Sequence, residues 1–499
     1  MIEDILFSLL IVGLVILLFV GAFVLLRTLA FARRIAPVEP LETGEVDGAV
    51  VAEHLAAAVR CPTISQSDGA VDRKAFLDLH RLILNTYPRI HSALHYQAVN
   101  KYSLLYIWPG QDLDLPPVLL AGHLDVVPAE EATLSDWQHP PFSGQIADGY
   151  VWGRGALDNK NQVVAILEAV EGLLRSGYKP RRSIILAFGH DEEVGGRNGA
   201  FKIAELLGKQ GARLGVVLDE GGVVMPGKML GVPGPVALVA TGEKGFLTLK
   251  LTVETAAGHS SMPPRHTAIG ILARAITRLE NSPLPPRMFT VREMFKALGA
   301  YMPFGMQVAL ANNWLFGGAL RRRMLRQPAA AALVRTTTAV TMISGGVKDN
   351  ILPARAQATV NFRLAPGDHI AWVCEQVRKA IADPRVQFEP LEGAAWEALP
   401  VSPTDTPAFT TLSNTIRGIF GDIPVAPYMV IGATDARHYT TLCDHVYRFA
   451  PAFFEDGDLE RVHGVNERIA IDSLARMVQF YSALIKAWDD SESQAPAKA

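Results

Sequence analysis

The sequence predicts an α/β protein. A larger domain with a mainly parallel central sheet flanked by helices carries an inserted, smaller α+β domain, and one transmembrane helix stands at the N-terminus. Three observations carry this reading. From about residue 48, helix-type and strand-type segments alternate, as they do where parallel strands are joined by helical crossovers. Between about 244 and 367 the strands change to a polar–apolar alternation, which suits antiparallel strands with one exposed face. Residues 5–26, ILFSLLIVGLVILLFVGAFVLL, carry no charge.

That apolar segment comes first. At 1.5 Å per residue it spans roughly 33 Å, enough to cross a hydrocarbon core. It supplies roughly 0.14 of the mean hydropathy on a transfer scale, which for the whole chain is +0.18. The residues before it include Glu3 and Asp4, where a secretory signal would be basic, so residues 1–35 are read as a retained anchor. Cleavage after the small-x-small stretch Ala30-Phe31-Ala32 is the competing reading. Arg27, Arg33 and Arg34 follow the apolar run, and the positive-inside rule places the body of the protein in the cytoplasm. Residues 36–47 form a linker.

Composition narrows the rest. The chain has 499 residues, with 47 Lys+Arg against 50 Asp+Glu, which argues against an electrostatic nucleic-acid binder. With 49% apolar and 19% charged residues it can bury real cores. Cys61, Cys374 and Cys443 are far apart, which excludes a disulfide scaffold or a cysteine zinc module. A metal would have to be held by histidines and carboxylates.

In the first part of the larger domain (48–243), helices are expected over 50–60, 73–85 and 161–176. Apolar strands are expected over 104–108, 118–121, 183–188 and 215–218. The inserted domain (244–367) takes alternating strands over 246–253 and 356–364 around a helix over 267–281. The larger domain then resumes over 368–488, with helices over 375–382, 408–420 and 469–488, and 489–499 reads as a flexible tail. A stretch over 285–335, rich in Met, Phe and Leu with a basic end, has two readings. It is a lid helix pair packed on its own domain or a partner subunit, or a surface for a greasy substrate or a membrane.

Three of the apolar strands run into polar clusters: Gly122-His123-Leu124-Asp125, Gly189-His190-Asp191-Glu192-Glu193 and Asp219-Glu220. Ligands of open α/β sheets bind beyond the carboxyl ends of strands. Imidazoles and carboxylates gathered there are what a hard or borderline divalent cation needs. A fourth element, Gly153-Arg154-Gly155-Ala156-Leu157-Asp158-Asn159-Lys160, sets Asp158 at a turn into a helix, where a carboxylate is favoured. Singly, each has a bland reading as a surface histidine, a solvated helix start or an N-cap. Their weight lies in all four falling at strand ends or strand-to-helix turns within about 100 residues.

These motifs (HLDVVP, DWQHPPFSGQIADGYVWGRGALDNK, DEEVGG, LDEGG and, in the inserted domain, TTTAVTMISGGVKDNILPARAQATVNFR) resemble the zinc-dependent aminoacylase/carboxypeptidase metallopeptidase family. The nearest branch is that of carboxypeptidase S and the N-fatty-acyl-amino-acid hydrolases. The resemblance covers about 48 to 488. It implies two zinc ions per subunit, bridged by Asp158, with His123 and Asp219 on one ion and Glu193 and His463 on the other. It also implies Glu192 as general base and Asp125 as the group orienting a ligand imidazole.

In the inserted lid and dimerisation domain, the resemblance implies that His259 stabilises the oxyanion, often across a dimer interface. Asn350 and Arg363 would contact substrate, the latter through its free α-carboxylate, and Gly432 and Thr434 would line the site. Asn159 stands where many relatives have Asp. The implied activity is cleavage of the amide next to a C-terminal amino acid in short peptides or N-acyl-amino acids. A fatty-acyl-amino-acid hydrolase or synthase is the alternative, and a catalytically inactive binding protein on the same fold is a more remote one.

Overall fold

A computed structural model describes residues 2–32, 36–66 and 69–490 of the chain. Arg33, Arg34 and residues 491–499 of the tail lie outside the described residues. Ile2–Phe31 is one continuous helix, and it is the one helix among the described residues long and apolar enough to cross a membrane. Its Ile5–Leu18 stretch exposes nearly every large apolar side chain.

The larger domain is built on a nine-stranded mixed sheet. Its centre is parallel: Ile184–Gly189 pairs with Val118–His123, which pairs with Val216–Asp219, which pairs with Val446–Arg448. Both flanks carry antiparallel pairings, because His95–Val99 and Ser103–Trp108 form a hairpin on one side and Pro235–Glu243 runs against Val446–Arg448 on the other. The central strands read as unbroken apolar runs because both faces are covered. Leu104, Leu120, Leu186 and Leu218 face a core shared with helices Gly48–Val59, Lys160–Arg175 and Ile471–Asp490. Their neighbours Leu105, Leu119, Ile185 and Val217 face Ala200–Lys209. In the register, His123 lies beside Gly189 and Leu120 beside Leu218, so the three strands end along one edge of the sheet.

The inserted domain is a four-stranded antiparallel sheet in the order Thr337–Gly345, Arg355–Leu364, Gly245–Glu254, Val386–Trp396. Helices Ala268–Glu280 and Ile370–Ile381 cover one face, around Leu249, Leu272, Phe362 and Val373. The boundary expected at 367 is therefore corrected. Ile370–Ile381 and Val386–Trp396 belong to the insertion, because Val386–Trp396 supplies its edge strand by pairing with Gly245–Glu254. The helical pattern of 375–382 was legible, but its partner sheet was not. The larger domain resumes after Trp396, with Pro407–Phe420 and Val425–Val430.

The tail is corrected as well. Asp489 is helical and buried, because its carboxylate accepts hydrogen bonds from the Arg181 and Arg182 amides and the Tyr178 hydroxyl. The 285–335 stretch forms short helices that pack on the edge strand Val425–Val430 of the large sheet, around Met294, Leu298, Met302 and Ala426.

Candidate metal centre

Asp158 stands at the centre of the strand-end cluster. Its Oδ1 lies 2.9 Å from His123 Nε2 and its Oδ2 lies 3.0 Å from His463 Nε2. Two sets of ligand-type atoms share it. One is His123, Asp158 and Glu220, with Glu220 Oε1 3.2 Å from His123 Nε2. The other is Asp158, Glu193 and His463, with Glu193 Oε2 3.2 Å from His463 Nε2. A third group of ligand-type atoms, His123, Glu192 and Glu193, lies beside them and does not include Asp158.

Local structure explains each position. His123 ends its strand, and its Nδ1 donates to the Asp125 carbonyl at 2.9 Å, which turns Nε2 toward Asp158. The Asp125 carboxylate lies 3.4 Å from the same Nδ1 and accepts from Ser65 Oγ at 2.5 Å. It also accepts the backbone N–H groups of Glu192 and Glu193, both at 3.1 Å. One buried carboxylate thus orients the imidazole and fixes the turn that presents both glutamates. Burial works against its charge, yet the bonds from His123, Ser65 and the Glu193 amide hold its pKa below the usual carboxylate range.

Two residues given no role in the sequence reading hold the Asp158 loop. Glu467 is fully buried and accepts from the amides of Gly155 (2.9 Å), Leu157 (2.7 Å) and Asp158 (3.2 Å). It also pairs with Arg154 Nη1 at 2.6 Å. Arg154 Nη2 in turn donates to the carbonyls of His463 and Gly464, both at 3.0 Å. The pair ties the turn bearing Asp158 to the turn bearing His463, 305 residues later in the chain. A buried ion pair links distant segments in a way no local spacing signals.

The ligand expected at Asp219 is placed differently from its neighbour. Asp219 is buried and lies in none of the three ligand-type groups, while its neighbour Glu220 faces His123 and Asp158. Asp219 ends its strand and Glu220 is the first residue beyond it, so the two carboxylates leave the chain in different directions. Glu220 also accepts a hydrogen bond from Asn159 Nδ2. An Asp at 159 would instead set two carboxylates against each other.

Electrostatics describe a site short of positive charge. Burial, then Glu220, Asp435 and Glu193, push the Glu192 carboxyl well above its ordinary range. Burial and Asp158 raise Glu193 to about 7, and burial and Glu220 raise Asp219 to about 7. Asp158 is held low despite burial by its bonds to His123 and His463. The same contact, with Glu193, lifts His463 to about 10. Glu193 Oε1, Asp219 Oδ2 and Asp435 Oδ2 are buried without hydrogen-bond partners. Oxygen and imidazole donors, an excess of carboxylate and orphaned acceptors together fit divalent cations.

The centre opens on a cleft of about 1570 Å³ between the two domains, lined by Asp158, Glu192, Glu193, Glu220 and His463. Arg363, Gly432 and Thr434 line it too, as expected. The Thr434 hydroxyl is committed to Glu243 at 2.6 Å. Arg363 makes no ion pair with a carboxylate among the described residues and lies 4.6 Å above the Phe246 ring. Phe246 stacks on Trp396 at 4.5 Å, and the Arg437 guanidinium lies 4.8 Å from the Trp396 ring. This four-membered wall was not foreseen, since its members come from four separate segments. His259 and Asn350 are not brought to the cleft. They sit together on an exposed edge of the insertion, where Ser260 N donates to Asn350 O at 3.1 Å.

A family model described as Peptidase family M20/M25/M40 matches residues 119–487. The N-fatty-acyl-amino acid synthase/hydrolase PM20D1 of Xenopus tropicalis is 42% identical over 461 residues, covering 91% of this chain and 89% of that protein. The probable carboxypeptidase S-like 2 of Dictyostelium discoideum is 41% identical over 472 residues, covering 92% and 90%. Among solved structures, the M20 family metallo-carboxypeptidase Sso-CP2 from Sulfolobus solfataricus shares the fold. Its TM-score is 0.64 at 18% identity, covering 89% of this chain and 100% of that one.

Proposed function

The chain belongs to peptidase family M20/M25/M40, and from that premise we propose that it is a membrane-anchored, two-zinc hydrolase. It cleaves the amide next to a C-terminal amino acid, in a short peptide or an N-acyl-amino acid. One solved protein of the M20 family, YXEP of Bacillus subtilis, is described as a dinuclear metal binding peptidase. The observation that supports the reading is the pair of ligand sets sharing Asp158, with Glu192 beside His123 and Glu193 and in neither of the two.

The first set, His123, Asp158 and Glu220, would hold one ion, and Asp158, Glu193 and His463 would hold the other. Two such cations would supply Lewis-acid polarisation of the scissile carbonyl and acidify a water. Glu192 takes the proton of the attacking water and returns it to the leaving nitrogen. Asp125 keeps Glu192 in place through its amide and keeps His123 in the tautomer that presents Nε2. Arg363, which lines the cleft with no carboxylate partner among the described residues, receives the substrate α-carboxylate. Gly432 and Thr434 shape the wall beside it.

His259 and Asn350 stand too far from the cleft of their own chain to line it. In this reading they act in the cleft of a second copy, joined through the inserted domain, where His259 stabilises the oxyanion. Ile2–Phe31 anchors the enzyme in the membrane with the body on the cytoplasmic side.

A specific observation favours long-chain N-acyl-amino acids as substrates. The cleft, at about 1570 Å³, exceeds the 300–1,000 Å³ of ordinary small-molecule sites, and Phe246, Trp396, Val430 and Leu459 give it apolar wall. Assays of Gly-Leu-type dipeptides beside oleoyl-amino acids test both readings. Cleavage of the oleoyl amides is expected. Their survival while dipeptides are cut sinks the lipid reading, and survival of both substrates with metal-loaded enzyme sinks the hydrolase.

A further inference from the structure

The end of the N-terminal helix is fastened to the helices Phe304–Ala311 and Asn313–Leu325. Arg27 Nε and Nη2 donate to the Ala311 carbonyl at 3.3 and 3.2 Å. Asn312, wholly buried, donates to Val24 O, Thr28 Oγ1 and Val308 O at 3.2, 3.2 and 3.0 Å. A side chain at Gly299 would overlap the ring of Phe31. Phe23 and Trp314 meet with ring centroids 6.3 Å apart.

These contacts set a depth. Phe23 lies four residues before Arg27, roughly 6 Å further into the apolar run at 1.5 Å per residue. Trp314, level with Phe23, is 57% exposed, as is Phe304, and Leu315 is 50% exposed. At 100° per residue, Trp314, Leu315, Arg322 and Arg326 fall on one face of Asn313–Leu325 and its C-cap, apolar at the end near Phe23 and basic at the other. Arg321, Arg322, Arg323 and Arg326 are exposed, and none has a carboxylate partner among the described residues. The 13-residue helix is roughly 20 Å long, too short to cross a bilayer.

We propose that Phe304–Leu325 lies in the headgroup layer of the bilayer that Ile2–Phe31 spans, with Trp314 and Leu315 entering the acyl boundary and the arginines binding anionic phospholipid. The proposal rests on the anchor reading above. The occupant follows from continuity with the anchor helix and from charge. Tryptophan is suited to the interfacial layer, and unpaired arginines to an anionic surface. The second helix thus acts as an outrigger that fixes the body's tilt on the membrane.

The test uses the full chain in phosphatidylcholine vesicles with and without phosphatidylserine, the acyl chains brominated near the headgroup. Quenching of tryptophan emission is expected in the wild type and lost in Trp314→Phe. Phosphatidylserine should deepen it, and the Arg322→Gln/Arg323→Gln/Arg326→Gln variant should lose that increment. Equal quenching in Trp314→Phe, or no effect of phosphatidylserine, overturns the proposal. Alkaline carbonate extraction separates the two readings. Protein released by carbonate refutes the anchor, whereas protein retained with Trp314 unquenched refutes the outrigger alone.

Discussion

Glu192 has the clearest single-residue consequence. It is in neither of the two sets that share Asp158, so in the proposed reading removing its carboxylate should spare the metals and stop the proton transfer. Glu192→Gln is expected to keep two divalent ions and lose ~10²–10⁴-fold in kcat, read by metal analysis beside steady-state kinetics. The pairing of His463 with two carboxylates makes a second prediction. His463, lifted to about 10 by Asp158 and Glu193, carries a proton at pH 7 that a cation must displace. Loading the apoprotein at pH 7 should release at least one proton per chain, and metal affinity should rise with pH toward 10. Calorimetry in buffers of different ionisation enthalpy measures the count. At this scale the residue types were legible because strand ends concentrate His and carboxylates. The approach of Glu220 to His123 was not, since it depends on how the chain turns just after its strand ends at Asp219.

Among the elements, the turn bearing Asp158 is held from outside itself. Glu467 accepts three of its amides and pairs with Arg154, which binds the carbonyls of the His463 turn. Glu467→Ala leaves a buried guanidinium and orphaned amides, a loss of ~3–5 kcal/mol. A fall in thermal midpoint together with weaker metal retention is expected in the full chain in detergent, while an unchanged midpoint would show that the turn stands without it. The apolar strands of the large sheet were legible as uninterrupted runs because both faces are buried. Thr337–Gly345 and Val386–Trp396 were not, because their burial patterns lack clean alternation. Without Val386–Trp396 as an edge strand, the insertion seemed to end near 367.

For the whole molecule, the insertion places His259 and Asn350 away from the cleft they were expected to serve. If a second copy supplies them, two inactive variants should complement. Mixed and re-associated His259→Ala and Glu192→Gln chains are expected to recover about a quarter of wild-type activity, since half the dimers are mixed and each has one complete site. No recovery would confine the histidine to its own chain. The central claim is that one shared carboxylate organises two metal ions, and the metal content of the purified full chain tests it most directly. The wild type should hold two divalent ions per chain. Glu220→Ala and His463→Ala should each fall to about one, while Asp219→Asn should keep both. A wild type holding one ion or none, or an Asp219→Asn variant that loses an ion while Glu220→Ala keeps two, would contradict it.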